Sequence, residues 1–375
     1  MTVTLLHLSD THLGYSELDR VNAAGVNCRE ADFYDAFNRV IDAALDLRPD
    51  AVIHTGDFFH RPSPANRPMI EGLAGLRRLS DAGIPAVIIA GNHSTPRTVY
   101  TSPILKAFQA IPGVHPIFEQ RYERVELDCG VFHGVPHVND ELAYREELEK
   151  IEPDPGKTNV LMLHTSVGKG YLMEEYGERV LDGDQMVRLD AFDYTALGHW
   201  HGFQRVKGLK RAYYCGSTER LSDREAGSEK GFALVKTGSA LSVEFRPLPV
   251  RPWIRYDIAG CGEKSVDRIR KEISECAGGA HEGAVVSLYL LDLKPEQGAG
   301  IPNAWIAGRF PGALAVQVRR AYRGPDARQG GGDAAVESLE DMFADYLART
   351  MKDEAERARF ARLAAKYFSM DERGG

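Results

Sequence analysis

Residues 194–203 read YTALGHWHGF, an apolar run that ends in a glycine and then places two histidines one residue apart. In an extended chain alternate side chains share a face, so His199 and His201 can both reach one site. Imidazole is the commonest neutral metal ligand in proteins, and the chain contains 12 histidines. An exposed turn would be the simpler explanation of an isolated pair, so the interpretation depends on the rest of the sequence.

The composition is that of an ordinary globular protein with a large core. The chain has 375 residues, of which 43% are hydrophobic and 27% are charged, and this length is typical of two or three domains. No apolar run reaches the roughly 18 residues of a membrane span, and the first residues lack the basic segment and cleavage site of a signal peptide. We therefore expect a cytoplasmic protein, associated with the nucleoid if it is prokaryotic.

Cysteine usage and net charge narrow the functional classes further. The 5 cysteines are scattered and lack Cys-x-x-Cys spacing, which argues against a disulfide framework or a zinc ribbon. The formal net charge is -8, so binding of nucleic acid would depend on a local basic patch and not on the overall field. The net charge neither supports nor excludes DNA as a substrate.

Short apolar runs alternate with segments of helical period along the first half of the chain. Residues 31–47 carry apolar side chains at helical spacing, and Ile70, Leu73 and Leu76 mark another helix. Strands separated by helices predict an α/β core whose sheet is largely parallel, with helices on its faces. The runs that read as strands are residues 3–10, 50–57, 85–93, 159–165 and 194–199.

A potential metal ligand lies at the end of each predicted strand. In open α/β sheets ligands bind beyond the carboxyl ends of the strands, where the loops converge. The donors would then suffice for two divalent ions that share a carboxylate and leave positions for water or substrate. Each group alone is commonplace in a turn or at a core edge, but their joint occurrence favours a metal site. The donors are Asp10, His12, Asp57, Asn92, His164, His199 and His201.

These motifs follow the order Asp-x-His, Gly-Asp, Gly-Asn-His, His and Gly-His-x-His, which resembles that of the calcineurin-like metallophosphoesterases over about the first 205 residues. Within that superfamily, LSDTHLGY and GDFFH are most similar to the DNA double-strand-break repair nucleases of the meiotic recombination eleven and SbcD type. His60, in the second motif, stands where protein phosphatases carry an acidic residue followed by arginine. The resemblance implies a metallophosphoesterase β-sandwich flanked by helices instead of a single open sheet.

The resemblance also implies roles for the site residues. His93 would protonate the leaving sugar oxygen as a general acid, and His60 would orient it. Carboxylate, amide and imidazole donors together suit manganese, iron or zinc better than calcium, and the family prefers manganese. Carried over by motif, one ion would be held by Asp10, His12, Asp57 and His201, and the other by Asp57, Asn92, His164 and His199.

One position departs from the family pattern. GNHS places Ser94 where the family usually has an acidic residue. None of the proposed metal ligands is lost by this change. It falls instead on the groups that orient Asn92 and His93, and such groups affect the rate of catalysis.

Beyond residue 250 the pattern changes. Residues 254–260, 284–293 and 313–322 read as strands and residues 265–276 as a helix, which predicts a small α/β domain. A stretch rich in glycine and polar residues then reads as a linker, and two amphipathic segments follow it. With the resemblance, we expect a nuclease core at 1–249, a DNA-capping domain at 250–322, a linker at 323–333 and a helical ATPase-binding arm at 334–375.

The apolar stripes of the arm need a surface to cover. In the family that the sequence resembles, this segment binds the coiled coil of an SMC-like ATPase of the SbcC type. The chain has no P-loop of its own, because PGKTNV at residues 155–160 leads into a strand. The alternative is that the arm packs on its own chain, as amphipathic helices usually do. The expected partner contacts are Leu339, Phe343, Tyr346, Leu347, Phe360, Leu363, Tyr367 and Phe368.

Three functions fit these observations. The first is a manganese-dependent DNA nuclease with 3′ to 5′ exonuclease and single-strand endonuclease activity, which would act as a homodimer with the ATPase. The second is a phosphoesterase for nucleotides or phosphoproteins, and the third is a non-catalytic DNA-end scaffold. The predicted cap and arm favour the first over the second, and the full ligand set with His93 disfavours the third. Basic residues that could meet phosphates, or could equally be solvated loop charges, are Arg61, Arg67, Arg97, Arg205, Lys207, Lys210 and Arg211.

Overall fold

The computed structural model describes residues 2–98, 100–173 and 178–323, together with Leu347, Arg357 and Phe360. Within these residues, no helix is both long enough and apolar enough to cross a membrane. The helices are α1 (Cys28–Leu47), α2 (Asn66–Asp81), α3 (Glu141–Glu149), α4 (Gly183–Arg188), α5 (Val266–Cys276), α6 (Pro295–Ala299) and α7 (Asn303–Ala307).

Two six-stranded sheets dominate the first two thirds of the chain. In spatial order, the first sheet contains β14 (Ser242–Pro247), β13 (Gly231–Thr237), β1 (Val3–Leu8), β2 (Ala51–Thr55), β3 (Ala86–Ile89) and β4 (Val114–Ile117). The second sheet contains β11 (Gln204–Arg205), β12 (Ala212–Tyr214), β10 (Tyr194–Gly198), β7 (Asn159–His164), β6 (Gly130–Val135) and β5 (Glu123–Leu127). Each sheet has four parallel strands, and its remaining strands run antiparallel to them or to each other.

The five strands predicted to carry metal ligands are therefore divided between two sheets. β1, β2 and β3 belong to the first sheet, and β7 and β10 belong to the second. The single open sheet predicted from the alternation of strands and helices is wrong, because periodicity along the chain does not show which strands pair. The sandwich that the family resemblance implied is confirmed.

Burial on both faces of the central strands explains their continuous apolar runs. On β1, Leu6 and Leu8 pack in a cluster with the apolar stripe of α1, whereas Leu5 faces the second sheet. The second sheet buries its other face in a third cluster, which includes Tyr144 of α3. The layer order is helix, sheet, sheet, helix, and apolar residues from both sheets meet in the middle: Leu5, Ile53, Val87, Phe132 and Met162.

The helices that flank the first sheet follow the predicted pattern with one difference. The side chain of Asn27 caps α1 by accepting hydrogen bonds from the backbone amides of Arg29 and Glu30, and the helix ends at Arg48 in a left-handed conformation with φ 51°. The predicted apolar stripe of α1 is buried. On α2, however, Ile70 is 63% exposed and does not contribute to the core, although Leu76 does.

Beyond residue 250, the three predicted strands and the predicted helix are present. β15 (Trp253–Ile258), β16 (Val285–Leu293) and β17 (Ala315–Tyr322) form a three-stranded sheet in that order, and the helix is α5. A further pair of short strands, β8 (Ser166–Val167) and β9 (Val180–Leu181), lies between β7 and α4 in the chain. The short helices α6 and α7 were not predicted, since five residues show no helical period.

The chain divides into two compact units. One consists of Met1–Tyr256, Ser274–Leu288 and Asn303–Val318, and the other of Asp257–Ile273, Tyr289–Pro302 and Arg319–Gly375. Most of the expected linker and arm, at 323–333 and 334–375, lies outside the described residues. The expected boundaries of core, cap, linker and arm stay predictions.

Candidate metal centre

The carboxyl ends of five strands from both sheets place the seven predicted donors close together. Asp10 and His12 follow β1, Asp57 follows β2, and Asn92 follows β3. His164 is the last residue of β7, and the two histidines of the GHWH motif follow β10. All are buried except Asn92, which is half-buried. The ends of the five strands thus place carboxylate, imidazole and amide groups together at a common edge of the sandwich.

Three motif glycines allow these strand ends to approach so closely. A β-carbon added at Gly198 would lie 1.9 Å from a backbone oxygen of β2, and one added at Gly56 would lie 2.2 Å from Nδ1 of His164. At Gly91 the added atom would lie 2.2 Å from Oδ1 of Asp57. Non-bonded atoms cannot approach to such distances. The glycines of the GH, GD and GN motifs are therefore required by contact between the strand ends.

Four of the donors adopt backbone conformations that side-chain-bearing residues rarely take. The φ angles are 49° at Asp10, 41° at His12, 51° at Asp57 and 90° at His199. Such left-handed residues are uncommon outside glycine, and they cluster at functional sites where the surrounding structure holds them. Here two backbone hydrogen bonds between the loops hold three of these residues, from the amide of Asp10 to the Gly56 oxygen and from that of His12 to the Asp57 oxygen, at 3.1 and 2.9 Å.

Asp10, His12 and His201 form one group that could hold a metal ion, since their ligand atoms lie within 4.8 Å of one another. Nε2 of His12 is buried and has no hydrogen-bond partner among the described residues, and it lies 3.9 Å from Oδ2 of Asp57. Burial lowers the pKa of His12 well below its usual value, so the ring is neutral. A buried lone pair beside two carboxylates fits a divalent cation.

Asp10, Asp57 and His164 form a second such group. Nδ1 of His164 donates to the backbone oxygen of Thr55 at 2.8 Å, so Nε2 faces Oδ1 of Asn92 at 2.9 Å and Oδ2 of Asp57 at 3.2 Å. Burial lowers the pKa of His164, but the Asp57 carboxylate outweighs it and raises this pKa to about 9. Nε2 thus holds a proton between two oxygens, and a divalent ion bound at this point would replace that proton.

Two glutamates that the sequence did not single out bind the histidines of the GHWH motif. Nε2 of His199 lies 3.0 Å from Glu178, and Nδ1 of His201 lies 3.0 Å from Glu225. Burial raises the pKa of Glu225, but His201 outweighs it and lowers this pKa to about 2. His199 therefore contacts a glutamate and is not a member of either group. No local motif marks these glutamates, because they lie more than 20 residues from their histidines in the chain.

His93 and His60 lie next to the first group. The backbone amide of His93 donates to Oδ1 of Asp57 at 2.9 Å, and Nδ1 of His93 donates to the backbone oxygen of His60 at 3.0 Å. The two rings stack with their centroids 5.2 Å apart, and with His12 they form a third potential ligand group. The ring of His93 therefore donates to a backbone oxygen, which no sequence motif identifies.

Residues 3–203 match a known family. A model of the calcineurin-like phosphoesterases covers residues 3–203, which include all seven donors, His60 and His93. This chain belongs to the calcineurin-like phosphoesterase family. It is accordingly a metal-dependent phosphodiesterase, and the two ligand groups described above are the residues with which this phosphoesterase could hold its metal.

Relatives of this phosphoesterase are archaeal DNA double-strand break repair proteins named Mre11. The Sulfolobus acidocaldarius protein is 30% identical over an alignment of 281 residues, which covers 72% of this chain and 68% of the relative. The Thermoplasma acidophilum protein is 31% identical over 72% of this chain and 70% of the relative. The Sulfurisphaera tokodaii protein is 34% identical over 60% and 57%, respectively.

Solved structures also match part of this phosphoesterase. One is a dimetal phosphatase from Danio rerio, which has a TM-score of 0.40 and 9% sequence identity. The match covers 65% of this chain and 96% of the phosphatase.

The basic residues predicted to meet phosphates are all exposed on the phosphoesterase. Arg67 lies 3.7 Å from Glu30 and Arg211 lies 3.5 Å from Asp193, so acidic neighbours screen part of this positive charge. Arg61 lines a cleft of about 340 Å³ together with Ser16 and other residues near the start of α2. The position of Arg61 directly after His60 places this cleft beside the candidate metal centre.

Two of the predicted partner contacts fall on described positions. Leu347 is 5% exposed, whereas Phe360 is 40% exposed. The other predicted contacts lie outside the described residues, namely Leu339, Phe343, Tyr346, Leu363, Tyr367 and Phe368.

Ser94, which departs from the family pattern, is buried, and its hydroxyl lies 3.5 Å from the backbone oxygen of Phe59.

Proposed function

We propose that this phosphoesterase is a manganese-dependent DNA nuclease that processes DNA double-strand ends, with 3′ to 5′ exonuclease and single-strand endonuclease activity. The observation that carries the proposal is the convergence of the buried donors with His93 at one edge of the sandwich. The names of the archaeal relatives, DNA double-strand break repair proteins, support DNA as the substrate.

The proposal has two metal ions that share Asp57 as a ligand. In the proposal, one ion binds Asp10, His12, Asp57 and His201, and the other binds Asp57, Asn92, His164 and His199. Imidazole, amide and carboxylate donors together suit manganese, iron or zinc better than calcium, and manganese is the ion proposed here. Because Asp10 belongs to both geometric groups, its carboxylate would also contribute to the field around the second ion.

Bound divalent ions would supply Lewis acidity toward the phosphate and a nucleophile from water at neutral pH. The residues of the chain would hold the reacting groups in line and move one proton. His93 is fixed through its amide by Asp57 and through Nδ1 by the His60 oxygen, so its Nε2 would deliver the proton to the leaving oxygen. Asp10 accepts the backbone amide of His199 at 3.2 Å, which keeps the two loops in register during this step.

The exposed basic residues and the C-terminal segment extend the proposal to partners. Arg61 and the basic loop with Arg205, Lys207, Lys210 and Arg211 would bind phosphates of the DNA strand. The segment 334–375 would bind the coiled coil of an SMC-like ATPase of the SbcC type, and the nuclease would act as a homodimer. The proposal places the protein in the cytoplasm with the DNA.

The proposal is tested by offering the purified protein with manganese two kinds of substrate in parallel. One is end-labelled duplex and circular single-stranded DNA, and the other is bis-p-nitrophenyl phosphate. We expect cleavage of all of them, with 3′ to 5′ shortening of the duplex, and none with the Asp57→Ala variant. Cleavage of the small ester without any cleavage of DNA would contradict the proposal and favour a phosphoesterase for small substrates or phosphoproteins. No cleavage of either would favour the non-catalytic DNA-end scaffold.

A further inference from the structure

Lys230 is a buried ammonium group beside the candidate metal centre, and the proposed chemistry does not use it. Its side chain is 1% exposed. Nζ donates to the backbone oxygen of His201 at 2.8 Å, to Oγ of Ser217 at 2.8 Å and to the carboxylate of Glu225. These three acceptors satisfy all three donors of the ammonium. Lysine is seldom buried in this way unless its charge is paired, and here the carboxylate of Glu225 pairs it.

Glu225 connects this ammonium to a predicted metal ligand. One carboxylate oxygen accepts from Nδ1 of His201 at 3.0 Å, and the other receives Lys230 and, at 3.3 Å, the backbone amide of Leu221. A histidine that donates from Nδ1 presents the lone pair of Nε2 to a metal. Glu225 therefore fixes both the tautomer and the rotation of the His201 ring.

The same ammonium also holds the backbone of His201, so the residue is fixed at two points. The amide of Ser217 donates to the same His201 oxygen at 3.2 Å, and Ser217 is bridged to Ser9, the neighbour of Asp10. Lys230 directly precedes β13, which pairs with β1, the strand that leads to Asp10 and His12. Through these contacts one buried charge links His201 to the strand that carries the other two members of its group.

We infer that Lys230 and Glu225 are positioning residues for His201 and thereby set the affinity of one of the two metal sites. The inference rests on the proposed division of ligands between the two ions. His199, assigned to the other ion, is supported by a different carboxylate, Glu178, which also accepts from the Ser166 hydroxyl and the Met173 amide, whereas Lys230 contacts His201 and Glu225. Loss of the lysine should therefore weaken one ion selectively.

The test is a manganese titration of the purified full chain by calorimetry, with cobalt absorption spectra of the same proteins. We expect the wild type to bind two ions. Lys230→Met and Glu225→Ala should each bind one ion about 10- to 100-fold more weakly and change its cobalt spectrum, while the second ion binds as in the wild type. Glu225→Gln keeps an acceptor for Nδ1, so it should recover part of the affinity that Glu225→Ala loses.

Lys157→Met is the matched control, since Lys157 also forms an ion pair but is 42% exposed and lies on a surface loop; both ions should bind it normally. If Lys230→Met does not fold, the double variant Glu225→Gln with Lys230→Met leaves no unpaired buried charge and should fold with one weak ion. Unchanged binding of both ions in the lysine variants, or equal weakening of both, would overturn the inference. A wild type that binds fewer than two ions would instead overturn the proposed ligand sets.

Discussion

His7 and His54 lie inside the first sheet and have no part in the proposed metal chemistry. The ring of His7 forms hydrogen bonds to the hydroxyls of Tyr194 and Thr55 at 2.8 and 2.9 Å, and His54 forms one to Thr11 at 2.9 Å. Burial lowers the pKa of each to about 3, so both are neutral in the folded protein. They fill polar positions in an apolar core, where a charged ring would be unfavourable.

The neutral state of His7 predicts a pH dependence of stability. Below the usual histidine pKa of about 6.5, the unfolded chain binds a proton that the folded chain, with a pKa of about 3, does not bind. The free energy of unfolding should therefore fall with decreasing pH in this window, and His7 should contribute about 1.4 kcal/mol per pH unit. Urea denaturation of the wild type and of His7→Gln between pH 7 and pH 4 measures this slope. An equal slope in both proteins would show that His7 is not the source.

His93 predicts a separation of metal binding from catalysis. Its side chain contacts the His60 backbone oxygen through Nδ1 and is not one of the proposed ligands, so His93→Leu should retain both ions. The rate of DNA cleavage should fall by about a hundredfold or more, because the leaving oxygen loses its proton donor. Metal analysis beside a nuclease assay measures the two effects, and Asp57→Ala, which removes the shared ligand, is the control that should lose metal. Loss of metal from the His93 variant would exclude the assignment of His93 as general acid.

At the residue level, the sequence predicted the candidate donors from their type and spacing, but it did not identify the groups that contact them. Asp57 and His164 stand in motifs next to glycine or at the end of an apolar strand, so their types and spacing were visible. Glu178, Glu225 and Lys230 act on histidines distant in the chain, and a single sequence contains no distances between such residues. The ligand roles of the predicted donors, such as Asp57 and His164, stay predictions until metal binding is measured.

Among the elements, strands were predicted more completely than their pairing. The five ligand-bearing runs correspond to β1, β2, β3, β7 and β10 within a few residues, because each is apolar on both faces. The division into two sheets depends on which strand edges meet, and that depends on contacts between β1 and β13, more than 200 residues apart. The family resemblance supplied this part of the fold, and hydrophobic periodicity did not.

The approach of β10 to β2 predicts a large cost for one added methyl group. In Gly198→Ala the new atom would lie 1.9 Å from the Thr55 oxygen and 2.4 Å from the Ser9 hydroxyl, so the two sheets would have to separate at the metal centre. We expect a loss of about 3 kcal/mol in the free energy of unfolding, at the upper end for overpacked sites. Guanidinium denaturation measures it, with Gly170→Ala as control, since nothing lies within 4 Å of a β-carbon at that position. A loss below about 1 kcal/mol would contradict the required contact.

For the whole molecule, DNA binding through the exposed basic residues, despite the net charge of -8, predicts a steep salt dependence of the affinity. The logarithm of the affinity should fall linearly with the logarithm of salt concentration, with a slope near -0.9 per phosphate contacted. Fluorescence anisotropy with labelled duplex measures the slope. Lys207→Gln should reduce the magnitude of this slope by about one. Arg121→Gln is the control: it removes a charge that is paired with Glu119, on a different loop from Lys207, and should leave the slope unchanged. A flat response would favour small substrates.

The C-terminal segment, residues 334–375, predicts how the whole molecule forms a complex. Deleting residues 334–375 should leave full activity on bis-p-nitrophenyl phosphate but abolish a stable complex with the coiled-coil ATPase, because helix-in-groove binding depends on a few aromatic anchors. Size-exclusion chromatography of the mixed proteins measures complex formation. Leu347 is buried, so Phe360→Ala, at an exposed position, is the point variant to compare with the deletion. Immediate aggregation of the truncated protein would show that the segment belongs to the folded core.

The pairing of β1 with β13 has a consequence for synthesis of the protein on the ribosome. Val3 pairs with Thr237, so one edge of the first sheet stays open until nearly two thirds of the chain has been made. At about 5 to 20 residues per second, the nascent chain carries this apolar strand without its final neighbour for roughly 10 to 50 seconds. An unpaired strand edge is a template for pairing with other chains. Until β13 has been synthesised, the open edge of β1 is therefore a site at which the nascent enzyme can aggregate.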